Sequence, residues 1–185
     1  MQTHFLFDVL EGYQPFEQIA EESRRDGAVI AASGLAGAQK AHLACALAAR
    51  TGRPLVFLCD SERSAAQTME DVSALMGGGV SLFPAREITF YQDVAASRDV
   101  AYRRIEAMRK LVSGEVRAIV APADAMLHRV MPRAVFNANT ISLRVGDVLP
   151  TDQLIERLLA AGYTREYMVE GKGQFSVRGG IVDIY

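Results

Sequence analysis

Residues 55–83 read LVFLCDSERSAAQTMEDVSALMGGGVSLF, and this stretch decides the fold class. Leu55–Cys59 is an unbroken apolar run of strand length, the pattern of a strand buried on both faces. Ser61 follows as a helix N-cap, and Ala65, Met69, Val72 and Met76 then recur at helical spacing on one face. Gly77-Gly78-Gly79 stops that helix, and residues 80–83 (Val-Ser-Leu-Phe) form a second short apolar run. A strand, a helix and a strand joined this tightly make a crossover unit, the building block of a parallel sheet.

The alternation extends both ways from this unit. Upstream, Ala28-Val29-Ile30-Ala31-Ala32 is expected to be a first buried strand, and downstream Val116-Arg117-Ala118-Ile119-Val120 another. Before the latter, a helix from Ser97 to Leu111 and beyond is expected to bury Ala101, Ile105, Met108 and Val112. Arg103, Arg104, Arg109 and Lys110 then fall mostly on its opposite, solvated face. Residues 1–125 are therefore expected to form an α/β domain, a parallel sheet with flanking helices.

After Pro132 the pattern changes, and residues 126–185 are expected to form a small α+β domain. Ile141, Leu143 and Val145 alternate with polar residues as in a half-buried strand, and a helix capped by Thr151 buries Leu154, Ile155, Leu158 and Leu159. Tyr163 to Glu170 and Gln174 to Arg178 are extended in character and are joined by Gly171-Lys172-Gly173, a hairpin-like pattern. Gly179-Gly180 then leads into Ile181–Tyr185. The sequence stops at Tyr185 inside this apolar run, so a truncated piece of a longer protein is expected.

Composition narrows the function. The 185 residues are 50% hydrophobic and 23% charged, enough apolar material for one sizeable core or two small ones. No run approaches the roughly 18 apolar residues that a membrane-spanning helix requires, and the first seven residues lack a secretory pattern, so a cytoplasmic protein is expected. A net charge of -2 argues against duplex DNA as the main ligand. The two cysteines, Cys45 and Cys59, sit in apolar patterns, and the three histidines, His4, His42 and His128, are scattered. Neither a disulfide nor a metal site is expected.

One loop looks catalytic in outline. Ser33-Gly34-Leu35-Ala36-Gly37-Ala38-Gln39-Lys40-Ala41 follows the expected first strand and opens a helix, the place of a phosphate-binding loop. In the working pattern G-x-x-x-x-G-K-[ST], the second glycine lets backbone amides wrap the phosphates and the hydroxyl holds magnesium. Gly34 and Lys40 are in register, with Gly37 between them, but Gln39 replaces the second glycine and Ala41 the hydroxyl. Such a loop is expected to bind nucleotide poorly and hydrolyse none; a plain strand-to-helix turn is the alternative. Asp60 stands at a strand's carboxyl end, where sheet folds place ligands, and equally suits a helix cap. Glu87, Tyr91 and Asp93 share a loop without a defined geometry.

In the C-terminal pattern, alternation puts Phe175 and Val177 on one face and Gln174, Ser176 and Arg178 on the other. Arg178 and Arg165 then suit bidentate contacts with a partner's carboxylates or with phosphates. Pairing with Glu166, Glu170 or Asp183 within the chain is the competing possibility.

The stretch from Gly162 to Tyr185, GYTREYMVEGKGQFSVRGGIVDIY, closely resembles a hairpin of the bacterial transcription-repair coupling factors, the Mfd family, and a version occurs in the excision-repair protein UvrB. Phe83–Tyr91, FPAREITFY, and the Ser97–Leu111 helix also resemble that family, so the likeness spans nearly the whole chain. The degenerate loop at Gln39 and Ala41, and the direct run from Phe90-Tyr91 into the helix, resemble the coupling factors rather than UvrB, which has an intact loop and an aromatic-rich insertion.

The resemblance implies a UvrB-like scaffold, domain 1a, followed by part of domain 2, which recruits the repair protein UvrA. It implies that Arg165 and Arg178 stand where UvrB uses arginines for UvrA, and that a third such arginine is replaced by Ser176. The expected function is a non-catalytic adaptor recruiting UvrA to RNA polymerase stalled at DNA lesions, with no cofactor. RNA polymerase and DNA would be met through further domains, including an ATP-driven translocase motor. The alternatives are a nucleotide-binding domain with residual ATP binding through Gly34 and Lys40, and DNA binding through the basic helix face.

Overall fold

The computed structural model describes residues 5–86 and 98–185. The chain divides into two compact units, Met1–Arg129 and Val130–Tyr185.

The first unit opens with a 3-10 helix, Phe5–Leu10, then α1 (Gln14–Glu22) and α2 (Gly37–Thr51). The crossover follows as β1 (Leu55–Cys59), α3 (Glu62–Met76) and β2 (Val80–Leu82), and then α4 (Arg98–Ser113) and β3 (Ala118–Pro122). The sheet is parallel in the order β1-β3-β2, with Leu55 and Val80 both in register with Ala118. Strand β3 is central and buried along its whole length. Alternation sends Ala118 and Val120 into a core with Ala41, Cys45, Ala65 and Val72 of α2 and α3, and Ile119 and Ala121 into a second core with Phe83 and Ala107.

The helix in the crossover forms as its residues dictate. Ser61 Oγ accepts the Ser64 amide at 3.2 Å, Ala65 and Val72 are fully buried, Met69 and Met76 pack against them, and Gly77 closes the helix at φ 66°. Three other expectations are corrected. Ala28–Ala32 forms no strand, and Val29 is 96% exposed. Only two residues of that run exceed alanine in size, so pairing it would bury little apolar area. Strand β1 is covered on one face only, since Val56 and Leu58 are about half exposed. Strand β3 begins two residues later than its pattern suggested, although Val116 is buried beside it.

Helix α4 is also rotated from expectation. It buries Val100, Arg104 and Ala107 and leaves Ile105 half exposed, so its inner face lies one residue before the expected one. Arg104 makes the difference. Its aliphatic stem is buried and its guanidinium stacks 4.0 Å above the Phe83 ring while donating to Pro84 O at 2.6 Å.

The second unit contains α5 (Arg133–Ala138), α6 (Thr151–Ala160) and three strands, β4 (Thr164–Arg165), β5 (Gln174–Arg178) and β6 (Ile181–Ile184), in the order β4-β5-β6. Leu154 and Leu158 of α6 pack on Phe175, which is fully buried, with Ile155, Tyr163, Val177 and Val182 around them. Leu159 is half exposed, so the expected apolar face is narrower. Thr151 is the first helical residue and makes no side-chain cap; Pro150 precedes it as N-cap, its fixed φ of -56° leading into the helix.

Two strand expectations change here as well. Residues 141–145 form no strand, and although Ile141 packs against the core, Leu143 is half exposed and Val145 wholly so. The expected hairpin between 163–170 and 174–178 is instead a parallel pairing, Thr164 with Gln174 and Arg165 with Phe175. The antiparallel hairpin is β5 with β6, turned by Gly179-Gly180, with Gly179 at φ 60°, where a side chain would be strained.

Candidate functional site

Each of the two arginines singled out in the sequence stands exposed at a strand end of the β4-β5-β6 sheet, Arg165 in register with Phe175 and Arg178 in the alternate set with Ser176, and the structure treats them differently. Arg178 ends β5 and is exposed, but its Nη2 lies 2.5 Å from Asp183 Oδ2 on β6. Register explains the contact: Ser176 pairs with Asp183 and Arg178 with Ile181, so the two side chains are diagonal neighbours on the hairpin. Arg165 ends β4, is exposed, and has no carboxylate within ion-pair distance among the described residues.

Ser176 departs from simple alternation. It is only 2% exposed, and its hydroxyl donates to the carbonyl of Tyr167 at 2.9 Å. The chain between β4 and β5 therefore folds over the face that alternation had left to solvent. Three further bonds fix that connection: the Glu166 amide donates to Phe175 O at 2.8 Å, and the Glu170 and Gly171 amides both donate to Gln174 Oε1, at 2.8 and 3.0 Å. Tyr167 and Met168 are left outside, 90% and 67% exposed. Sequence reading passed over these two residues because nothing in their spacing separates an outward loop aromatic from a strand residue facing the core.

The degenerate loop is placed at the start of α2. Gly34 adopts φ 80°, Gly37 is the first helical residue, and Lys40 and Ala41 lie in the first turn, Ala41 buried and Lys40 exposed. The Gln39 side chain folds back so that its Oε1 accepts the Ala36 amide at 2.9 Å. That bond occupies a donor that a working loop turns toward phosphate. The segment before the loop is not a strand, which corrects the expected strand-to-helix setting.

The remaining candidates have local roles. Asp60 accepts hydrogen bonds from Ser64 and from Ser61 at the start of α3; these hold its carboxyl below the usual range, an N-terminal cap network rather than a ligand site. Glu87, Tyr91 and Asp93 lie outside the described residues. Cys45 and Cys59 are buried free thiols, and burial pushes the Cys45 thiol up to about 11, so it is inert at neutral pH. Among the described residues no cluster has the composition of a metal site, and no helix is long and apolar enough to cross a membrane.

The basic face of α4 is largely neutralised. Arg103 pairs with Asp99 at 2.9 Å, Arg109 with Glu106 at 2.9 Å and Glu115 at 2.5 Å, and Lys110 with Glu106 at 3.6 Å. Arg104, expected among them, is buried, and that burial, reinforced by the nearby Arg86 charge, pushes its pKa below the ordinary arginine value.

Comparison with known proteins points back to the second unit. Residues 141–185 match the family described as the UvrB interaction domain. The transcription-repair-coupling factor of Bacillus subtilis (strain 168) is 32% identical over 154 residues, 83% of this chain and 13% of that protein. The Myxococcus xanthus protein of the same description is 32% identical over 182 residues, 94% of this chain and 15% of its own length. That of Mycobacterium tuberculosis (strain CDC 1551 / Oshkosh) is 30% identical over 143 residues, 74% of this chain and 12% of its own length. The chain thus spans a small fraction of each of these relatives.

Proposed function

We propose, for a chain that belongs with the transcription-repair-coupling factors along most of its length and matches their N-terminal, UvrB-like module, that it works as a non-catalytic adaptor. Its task is to recruit UvrA to RNA polymerase stalled at a DNA lesion. The observation that carries this reading is the coincidence of the UvrB interaction domain, residues 141–185, with a small sheet that leaves Arg165 and Arg178 exposed at strand ends. Exposed guanidinium groups on strand ends suit carboxylates of a partner and add little to the stability of the unit that carries them. Contacts with polymerase and with DNA, and ATP-driven movement, are assigned to the rest of a longer protein.

The loop chemistry supports the non-catalytic part of this reading. Gln39 fills the second glycine position and bonds to the Ala36 amide, and Ala41 offers no oxygen to magnesium. These features weigh against the rival reading, a nucleotide-binding domain with residual ATP affinity.

The test is a titration of this chain with purified UvrA, beside Arg165→Glu/Arg178→Glu. Removing one partner of a desolvated charge pair typically costs about 2–5 kcal/mol, so loss of at least about tenfold in affinity is expected. Equal affinity of the two proteins would sink the site assignment.

A further inference from the structure

Resting on the adaptor reading above, we infer that Tyr167, with Met168 beside it, is the apolar anchor of the second unit's contact with UvrA, and that Ser176 is its positioning residue. The anchor is built to enter an apolar socket on UvrA whose rim is acidic.

Four observations lead there. First, a tyrosine and a methionine stand adjacent and 90% and 67% exposed, an arrangement that contributes almost nothing to folding. Second, the backbone that carries them is held by the Glu166 amide on Phe175 O, by the Ser176 hydroxyl on Tyr167 O, and by Gln174 Oε1 under Glu170 and Gly171. These four bonds hold the loop at both ends and at the Tyr167 carbonyl, so less backbone freedom remains to be lost on binding. Third, tyrosine has only two side-chain torsions and a large contact area, which makes it, with arginine, an enriched residue at binding hot spots. Fourth, Arg165 lies two residues away with no carboxylate partner among the described residues. A cation without a carboxylate partner among the described residues, two residues from an exposed aromatic side chain, is complementary to an apolar socket edged by Asp or Glu.

The position of Ser176 makes the inference specific to this chain. A buried hydroxyl of this size reaches the Tyr167 carbonyl and stays beneath the loop.

The experiment is a set of titrations of the whole 185-residue chain with UvrA, with circular dichroism confirming native folding. Tyr167→Ala is expected to weaken binding by about tenfold or more and Tyr167→Phe by less than about threefold. Ser176→Ala is expected to weaken it by a smaller factor, Ser176→Thr to restore it, and Ser176→Ala to add nothing in a Tyr167→Ala background. If the parent chain binds UvrA and Arg165→Glu weakens it while Tyr167→Ala binds within about twofold, the anchor is wrong and the adaptor reading stands. No binding by the parent chain overturns both. Sedimentation closes the remaining route: self-association that Tyr167→Ala abolishes, with UvrA affinity unchanged, would make a second copy the occupant and overturn the assignment.

Discussion

Arg178 and Asp183 hold one another across the β5–β6 hairpin at 2.5 Å, whereas Arg165 on the neighbouring strand has no such companion among the described residues. Two arginines of apparently equal standing in the sequence thus enter an encounter in different states. Arg178 must exchange an internal carboxylate for an external one. Both members of its pair are substantially exposed, so the pair itself stabilises the fold by less than about 1 kcal/mol.

Asp183→Asn should therefore leave the urea midpoint nearly unchanged and tighten UvrA binding by about two- to fivefold, as Arg178 no longer has to leave a partner. Weaker binding in the same titration would mean that Asp183 holds Arg178 in the orientation that the partner requires.

Acid stability should report on the end of α4. Arg109, followed by Ser113, holds the Glu115 carboxyl down at about 2 against an ordinary 4.5. A folded-state value below the unfolded one means that the carboxylate supports the fold above about pH 4.5 and that this support is lost as the pH falls toward 2. Glu115→Gln should flatten the stability curve across that window and leave the curve above it parallel to that of the parent, as followed by urea midpoints at stepped pH.

Arg104→Lys should destabilise the first unit by about 1–3 kcal/mol even though it keeps the charge. An ammonium replaces the planar group that stacks on Phe83 and donates to Pro84 O. An unchanged midpoint in chemical denaturation would show that the stacking contributes nothing.

Rebuilding the phosphate-loop consensus should fail. Gln39→Gly with Ala41→Thr restores G-x-x-x-x-G-K-T, yet the residues before Gly34 form no strand to hold the loop against the sheet. Calorimetry with ATP and magnesium is expected to show no heat at millimolar nucleotide. A saturable signal would restore the nucleotide-binding reading.

In the second unit, Phe175→Ala should cost about 3–5 kcal/mol, because the ring is the centre of a core whose other buried members are Leu154 and Leu158. Loss of near-ultraviolet tyrosine signal at lower urea than in the parent chain is the measurement.

Where periodicity and punctuation agreed, the sequence was read correctly. Ser61, the Ala65-to-Met76 stripe and Gly77 each state the same helix, and the strands on either side follow from it. The failures share a cause. The continuous apolar run Ala28–Ala32 and the alternation in Ile141–Val145 record a tendency to pair, but a strand exists only where another edge receives it, and none of the strands described here does. The shift of α4 by one residue came from counting Arg104 as polar, although its stem and its stacked head bury like a large apolar side chain. The exposure of Arg178 follows from the alternation that buries Phe175; the burial of Ser176 was not legible, because it depends on a loop crossing the face that β5 alone would expose.

The division into two units with separate cores bears on how this molecule melts. Cys45, Val72 and Val120 belong to one core, and Leu154, Leu158 and Phe175 to another. Each unit has its own core to lose, and calorimetry is expected to show two transitions rather than a single melting temperature. The surface with Arg165 and Tyr167 depends on the smaller core, so recognition can vanish at a temperature where most of the helical signal, carried by α2, α3 and α4, is still intact.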